Sequence, residues 1–127
     1  SMRIDVQALG FPLTAPLLNH TTRRLRFALA RASDRIQRVE VRLGDTNGPR
    51  GGADKFCQIQ VVLAHGPFIL IEEFGADLYG VIARAAERAS RNVVRRVARL
   101  HQNVRLTKAK QKALLSLRRE SSDTSNN

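Results

Sequence analysis

The chain contains little of what several classes of function require. It has no tryptophan, one tyrosine and one cysteine, and 11 acidic residues against 22 basic ones. A single cysteine cannot form an intramolecular disulfide, which fits a reducing cytosol. No stretch approaches the roughly 20 apolar residues of a membrane-spanning helix, and no signal-peptide core lies near the start. We therefore expect a cytoplasmic protein with no membrane partner.

The residues that catalysis or metal binding needs do not come together in the sequence. His20, His65 and His101 are scattered, without the spacing of metal ligands. Glu72 and Glu73 are adjacent on a predicted strand, so they point to opposite faces and cannot act on one substrate. The sequence predicts no catalytic residue, no metal site, no cofactor and no small-molecule substrate, and so a protein that is not an enzyme.

The glycine-rich segment 44–55 resembles two kinds of ligand-binding loop only superficially. It lacks the Gly-Lys-Ser/Thr run of a Walker loop. Its start at Asp45 is similar to a calcium loop, but the bidentate acid later in that motif is missing. A long hairpin connection is the favoured interpretation, from which Arg50 and Lys55 remain able to touch phosphate.

The net charge of +11 is concentrated in three segments. The predicted first helix (Thr14 to Arg31), the predicted second helix (Asp77 to His101) and the segment 102–127 each carry +4, while all other residues together carry −1. A basic surface kept for solubility is the weaker interpretation, because solubility needs no such asymmetry. The distribution favours a polyanion bound on the helical side of the protein.

One side of the second predicted helix carries a row of arginines. At roughly 100° per residue, the row fits an arc about 80° wide. The helix itself supplies only Asp77 and Glu87 to neutralise it, and Glu87 is expected to pair with Arg91. Guanidinium groups at this spacing suit a phosphate backbone. The row consists of Arg84, Arg88, Arg91, Arg95 and Arg99.

Apolar residues on the opposite side of this helix predict a buried face. They are Leu78, Ile82, Ala85, Ala89, Val93, Val97 and Leu100. The aromatic residues are few, and several of the five phenylalanines fall at strand ends, which does not make a platform for stacking bases. Recognition is therefore expected to rest on the backbone and shape of a nucleic acid.

Alternating and helical periodicities predict the order β-α-β-β-β-α. Strands are expected at Met2–Ala8, Ile36–Leu43, Phe56–Leu63 and Phe68–Phe74, and Thr14 and Asp77 are expected to cap the two helices. Turns between the last three strands favour an antiparallel meander, whereas a helical crossover lets the first strand pair in parallel. The predicted fold class is α+β: a four-stranded mixed sheet with two roughly parallel helices packed on one face, a layout like that of a double-stranded-RNA-binding domain.

The chain after His101 is interpreted as a basic, flexible tail. Five apolar residues would allow one short amphipathic helix there, but the polar run from Ser121 and the density of charge favour a mobile segment. The apolar residues are Leu106, Ala109, Ala113, Leu114 and Leu117. The predicted domains are thus residues 2–101 and the tail 102–127.

Three segments, in this order, resemble the ribosome hibernation-promoting factors, the ribosome-associated translation inhibitor or sigma-54 modulation family. They are Arg35–Val41 (RIQRVEV), Asn47–Lys55 (NGPRGGADK) and Asp77–Tyr79, which opens the basic last helix. The resemblance covers about Met2 to His101. It implies a protein that binds 16S rRNA of the small ribosomal subunit, in the mRNA and tRNA channel near the A and P sites, and that inhibits translation in stationary phase or stress.

The resemblance also implies which residues bind RNA. By position, Arg88, Arg91 and Arg95 match basic residues of the family's second helix, Arg24 matches one of the first helix, and Lys55 matches the residue that closes the loop. Together with the arginine row, the candidate RNA-binding residues are Arg23, Arg24, Arg26, Lys55, Arg84, Arg88, Arg91, Arg95 and Arg99.

Two differences from other members of the family matter. Phe27 stands where many members have lysine, which implies a first-helix contact that is weaker or displaced to Arg23 or Arg26. Residues 102–127 are too few for the C-terminal dimerisation domain of long members, so a short form that is monomeric when free is expected.

Two other functions fit the same charge pattern. A general duplex-RNA or DNA-binding module, with no preference for ribosomes, is one, because helices on a sheet suit shape recognition of A-form RNA. An adaptor for an acidic protein such as a sigma factor is the other, as the family's older name suggests.

Overall fold

The structure is a computed structural model that describes residues 2–46 and 54–125, with side chains described as far as Glu120. The chain divides into one compact unit that ends at Arg95 and a second that begins at Arg96. The elements, in chain order, are β1 (Arg3–Leu9), α1 (Ala15–Ala28), a short 3-10 helix (Ala30–Arg35), β2 (Ile36–Asp45), β3 (Lys55–Leu63), β4 (Ile69–Gly75) and α2 (Leu78–Ser125). This is the predicted β-α-β-β-β-α order.

The four strands form one mixed sheet in the order β1-β2-β3-β4. β1 pairs in parallel with β2, because the chain crosses over through α1 between them. β2–β3 and β3–β4 are antiparallel, as in a meander. The register brings Val6 opposite Val41, Val41 opposite Ile59, and Ile59 opposite Ile71. The predicted fold class is confirmed.

The core lies between one face of this sheet and the two helices. Strand side chains alternate, so every second residue of β2, β3 and β4 points towards the helices. The buried apolar strand residues are Ile36, Val39, Val41, Leu43, Cys57, Ile59, Val61, Leu63, Ile69 and Ile71. The helices meet them with Leu17, Thr21, Leu25, Val81, Ile82, Ala85, Ala86, Ala89 and Val93.

Both predicted N-caps are present. The Thr14 hydroxyl accepts a hydrogen bond from the Leu17 backbone N–H at 3.3 Å, which satisfies one free donor in the first turn of α1. The Asp77 carboxylate accepts one from the Gly80 N–H, also at 3.3 Å, at the start of α2. These caps fix where the helices begin, and with them the rotational position of every arginine that follows.

The first helix ends earlier than predicted. α1 stops at Ala28, and the chain continues as the 3-10 helix Ala30–Arg35 up to β2. Leu29 and Ala32 are both buried in this segment. The tighter 3-10 spacing keeps these side chains inside while the chain turns towards β2. Helical periodicity alone does not distinguish the two kinds of helix over one turn.

The second helix ends later than predicted. α2 does not stop near His101 but continues to Ser125, so the interpretation of 102–127 as an unstructured tail is wrong in its local structure for residues 102–125. The sequence after Gly80 contains no glycine or proline, and lysine, arginine, leucine, alanine and glutamine are all good helix formers. The division into domains at residue 101 stays a prediction.

The predicted loop after β2 lies largely outside the described residues, and Arg50 with it. Its two ends are held together, because the Thr46 N–H donates to the Asp54 carbonyl at 3.0 Å and the Thr46 hydroxyl bonds the same oxygen at 3.1 Å. Within the part of the chain that is described, no helix has both the length and the apolar character needed to cross a membrane.

Candidate nucleic-acid interface

The two helices run side by side in the same direction. Near their N-terminal ends, the ring of His20 in α1 meets the ring of Tyr79 in α2 edge-on, with centroids 4.6 Å apart. Further along, Arg24 and Phe27 of α1 line a shared groove with Glu87 and Val94 of α2. Residue numbers rise together along the contact, so the roughly parallel arrangement predicted for the helices is present. Their outer sides form one continuous surface.

Arg23 and Arg24 lie on the outer side of α1. Leu17, Thr21 and Leu25 recur every four residues and are buried, which turns the residues between them towards solvent. Among the described residues, no carboxylate oxygen lies within 4.0 Å of either guanidinium group. Both side chains are available to an external anion.

Arg26 lies on a different side of α1. Its Nη1 atom donates a hydrogen bond of 3.5 Å to the Met2 carbonyl, next to the start of β1. From the sequence, Arg23 and Arg26 were equally good candidates to replace the basic contact missing at Phe27. The structure places them on different sides of α1. Arg23 and Arg24 line a small depression beside Phe27, whereas Arg26 points towards the edge of the sheet.

The first two members of the α2 arginine row are held by β4. Arg88 donates from Nη1 to the Glu73 carboxylate and to the Glu72 carbonyl, both at 2.9 Å. Arg84 donates to the Phe74 carbonyl at 3.2 Å and lies 3.8 Å from the Glu73 carboxylate. These guanidinium groups tie α2 to the edge strand, so much of their charge is already balanced within the protein.

Glu73, the acidic partner of this row, lies on β4 and not in the helix itself. Glu73 continues the alternation of Ile69 and Ile71 in β4, so it lies on the helix-facing side of the sheet. Its register partner is Cys57, whose side chain is fully buried. The alternation of β4 indicated that Glu73 faces the helices. The prediction that the arginines are poorly neutralised considered only the acids of the helix itself.

The next two members of the row face outward. Arg91 lies 3.6 Å from Glu87 one turn earlier, as predicted, and both side chains are at least 60 % exposed. Such an exposed i,i+4 pair contributes only a few tenths of a kcal/mol. Arg95 is exposed and has no carboxylate within 4.0 Å among the residues the structure describes. Arg99, also exposed, belongs to the second compact unit.

Lys55 is held in place by two acids. Its Nζ atom lies 2.8 Å from the Asp45 carboxylate and 3.5 Å from that of Asp54. The hydrogen bond to Asp45 raises the pKa of the Lys55 ammonium; desolvation acts in the opposite direction, and the charges of Asp45 and Asp54 add to the rise. Lys55 stays charged at physiological pH, but its charge is matched locally.

Seven of the nine sequence-predicted residues fall into two groups, and Arg26, which bonds the Met2 carbonyl, and Arg99, in the second compact unit, belong to neither. The sheet-end cluster consists of Lys55, Arg84 and Arg88 with the acids Asp45, Asp54 and Glu73. The outer basic face consists of Arg23, Arg24, Arg31, Arg91 and Arg95, with Glu87 as its acid. Arg31, which lines the groove between the helices, was not among the predicted site residues although it contributed to the counted charge of the first helix.

The outer basic face has the chemistry of a polyanion-binding surface. Guanidinium groups on two parallel helices present planar, fixed donors that match phosphate oxygens bidentately. The described residues contain no group of three or more His, Cys, Asp or Glu side chains arranged to hold a metal ion. The surface therefore presents positive charge and hydrogen-bond donors to a negatively charged ligand.

Comparison with known proteins agrees with this arrangement of helices and strands. The sequence profile of the Sigma 54 modulation protein / S30EA ribosomal protein family matches residues 4–101. The match spans most of the chain, and the protein belongs to this family. Among curated protein sequences, none matches the chain.

Two solved structures are similar to the chain. A ribosomal subunit interface protein from Coxiella burnetii is 17 % identical, with a TM-score of 0.63 over 76 % of this chain and 99 % of that one. The N-terminal domain of Protein Y from Thermus thermophilus is 26 % identical, with a TM-score of 0.58 over 74 % of this chain and 93 % of that one. The first similarity concerns the fold alone.

Proposed function

We propose that this protein is a non-enzymatic ribosome hibernation factor that binds 16S rRNA of the small subunit through its outer basic face. It occupies the mRNA and tRNA channel near the A and P sites and inhibits translation under stress or in stationary phase. The observation that carries the proposal is the outer basic face, whose arginines lie on both helices with Glu87 as the one acid described among them, in a chain of the S30EA family.

The relatives support the location on the ribosome. The Coxiella burnetii protein is described as a ribosomal subunit interface protein. A basic protein surface is complementary in charge to RNA phosphates. We assign inhibition to occlusion: a folded domain in the channel excludes tRNA and mRNA from the same space.

The two groups of basic residues have different roles in this proposal. Arg23, Arg24, Arg91 and Arg95 contact phosphates directly, because no strong ion pair within the described structure competes for them. Arg84, Arg88 and Lys55 hold the interface in shape and contribute less to affinity, since each already has a carboxylate partner.

Cosedimentation with isolated small subunits tests the proposal. If about six phosphates are neutralised, affinity falls on the order of 10³-fold between about 50 and 200 mM salt, by analogy with duplex DNA. Arg95→Glu and Arg91→Glu are expected to weaken binding by at least tenfold without unfolding the protein. Arg42→Glu is the matched control, because Arg42 is exposed on the face of the sheet that lies away from the helices.

The outcomes distinguish the rival functions. Binding that survives an excess of bulk tRNA supports ribosome specificity, whereas binding abolished by tRNA indicates a general duplex-RNA module. A protein partner captured equally well after nuclease treatment indicates an adaptor. Absence of salt-sensitive binding to small subunits, or equal loss in Arg42→Glu and Arg95→Glu, overturns the proposal.

A further inference from the structure

Phe27 is an exposed aromatic side chain in the middle of the outer basic face. It is 78 % exposed, more than any other large apolar residue that the structure describes. Nothing in the fold requires it there: α1 buries Leu17, Thr21 and Leu25, and Phe27 lies off that face. A single exposed apolar side chain is ordinary on a protein surface, so it is the groove and the charged groups beside Phe27 that indicate a binding site.

Basic side chains surround this ring. Phe27 lines one depression with His20, Arg23 and Arg24, and a second with Arg24 and Arg31. Arginine guanidinium groups and aromatic rings are the two kinds of protein surface on which unpaired RNA bases stack. Both occur here within one turn of α1, with cations on either side for the flanking phosphates.

The groove beside Phe27 favours a base over a phosphate. Its volume is about 480 Å³, and Ala28, Ala30 and Val94 give it an apolar lining. Its remaining wall includes Ser90, Glu87 and the two arginines Arg24 and Arg31. A phosphate placed against the apolar lining would lose solvation, whereas the arginines supply cationic partners for phosphates beside it. A flat heterocycle buries its faces against apolar groups and presents amino hydrogens that a carboxylate accepts.

From these observations we infer that Phe27 and the groove between α1 and α2 form a stacking site for one unpaired nucleotide of the bound RNA. The base lies against the Phe27 ring, and Arg24 and Arg31 contact the phosphates on either side of it. The inference rests on the proposed function, and it adds a base-specific contact to recognition that otherwise depends on backbone and shape. This contact can be tested separately from the salt-dependent binding of phosphates by the arginines.

Phe27→Ala and Phe27→Tyr, each measured for affinity to isolated small subunits, test the inference first. Removing an aromatic side chain on which a base stacks lowers the affinity roughly tenfold or more. We expect this loss in Phe27→Ala and near-parental affinity in Phe27→Tyr, which keeps the ring. Phe68→Ala is the matched control, because Phe68 is also exposed and lies before β4, away from the groove.

A fluorescent variant reports the stacked base directly. The chain has no tryptophan, so Phe27→Trp introduces a single emitter, and Phe68→Trp provides a matched single emitter elsewhere. We expect small subunits to quench the emission of Phe27→Trp and to leave Phe68→Trp unchanged. Ultraviolet crosslinking of the Phe27→Trp complex is expected to join the indole to an unpaired nucleotide of 16S rRNA.

Each contrary result has a distinct meaning. If the parent protein binds small subunits but Phe27→Ala binds equally well and Phe27→Trp is not quenched, the stacking site is wrong and the proposed function stands. A crosslink from position 27 to a ribosomal protein or to a base-paired nucleotide also overturns the inference. If the parent does not bind small subunits at all, the proposed function fails and the inference with it.

Discussion

The arginines of the α2 row, identical in type and regular in spacing, have different surroundings. Arg88 makes two hydrogen bonds of 2.9 Å to β4, whereas Arg95, seven residues later on the same side, has no carboxylate partner within the described part of the chain. Spacing along a helix determines which residues share a side. The neighbouring strand determines which of them remain free to bind an external anion.

Cys57 shows how burial sets the chemistry of a single side chain. It is fully buried on the helix-facing side of β3, and desolvation, followed by the nearby charge of Glu73, raises the pKa of its thiol to about 12. We expect the native protein at pH 9 to resist an aromatic disulfide reagent that reacts at once with the denatured chain. Absorbance of the released thiolate measures this, and reaction of the native protein at the denatured rate would contradict the burial of Cys57.

The same pKa shift has a consequence for stability at alkaline pH. An unfolded chain releases the Cys57 proton near the ordinary pKa of 9.0, while the folded protein keeps it up to about 12. The unfolded state therefore binds fewer protons than the native state in this window, and the free energy of unfolding falls as pH rises through it. The raised pKa of Lys55 acts in the same direction, because its ion pairs are lost only when the folded ammonium deprotonates.

At the scale of elements, the contact between α2 and the edge strand β4 depends on Arg88. Arg88→Ala leaves the Glu73 carboxylate, only 20 % exposed, with Arg84 at 3.8 Å as its remaining ion-pair partner within the described structure. We expect a loss of about 1 kcal/mol in the free energy of unfolding, moderated because the Arg88 side chain is 43 % exposed.

Arg95→Ala is the matched control for this prediction. It makes the same change of residue in the same helix, so helix propensity contributes equally to both variants. Its free energy of unfolding is expected to stay within about 0.5 kcal/mol of the parent value. Urea denaturation measures both variants. Equal destabilisation by the two substitutions would show that the β4 contact contributes nothing specific.

Most of the fold could be predicted because its elements have distinct periodicities. Alternation of apolar residues in β2 and β3, and the caps at Thr14 and Asp77, identified the strands and the helix starts. The helix ends were predicted less well: the composition after Gly80 allowed α2 to continue beyond His101, whereas the end of α1 had no such signal. Whether the chain after Ala28 is an α-helix or a 3-10 helix depends on the burial of Leu29 and Ala32, which is a tertiary property.

The candidate site was less predictable than the fold. Sequence spacing identified the arginines of both helices, but their neighbours across the fold, Glu73 among them, depend on sheet register and on helix placement. The exposure of Phe27 was likewise not predicted from the sequence. A lone phenylalanine in a helix with an apolar side is ordinarily expected in the core, and only its position relative to Leu25 and Thr21 shows it to be outside.

At the scale of the whole molecule, the charge follows the layers of the first compact unit. The helices carry the excess of arginine, while the strands and their connections sum to −1. A domain built this way has one side with a strong positive potential and another that is nearly neutral. Under the proposed function, we therefore expect the protein to bind RNA in one orientation, with its helices against the phosphates and its open sheet face away from them.

Chemical probing of 16S rRNA in isolated small subunits, with and without the protein, tests this orientation and the proposed location most directly. We expect the parent protein to protect nucleotides that line the mRNA and tRNA channel near the A and P sites. Arg95→Glu should lose that protection, and Arg42→Glu should retain it. Saturating protein that protects no nucleotide in the channel, or protection that Arg95→Glu keeps and Arg42→Glu loses, would contradict the account.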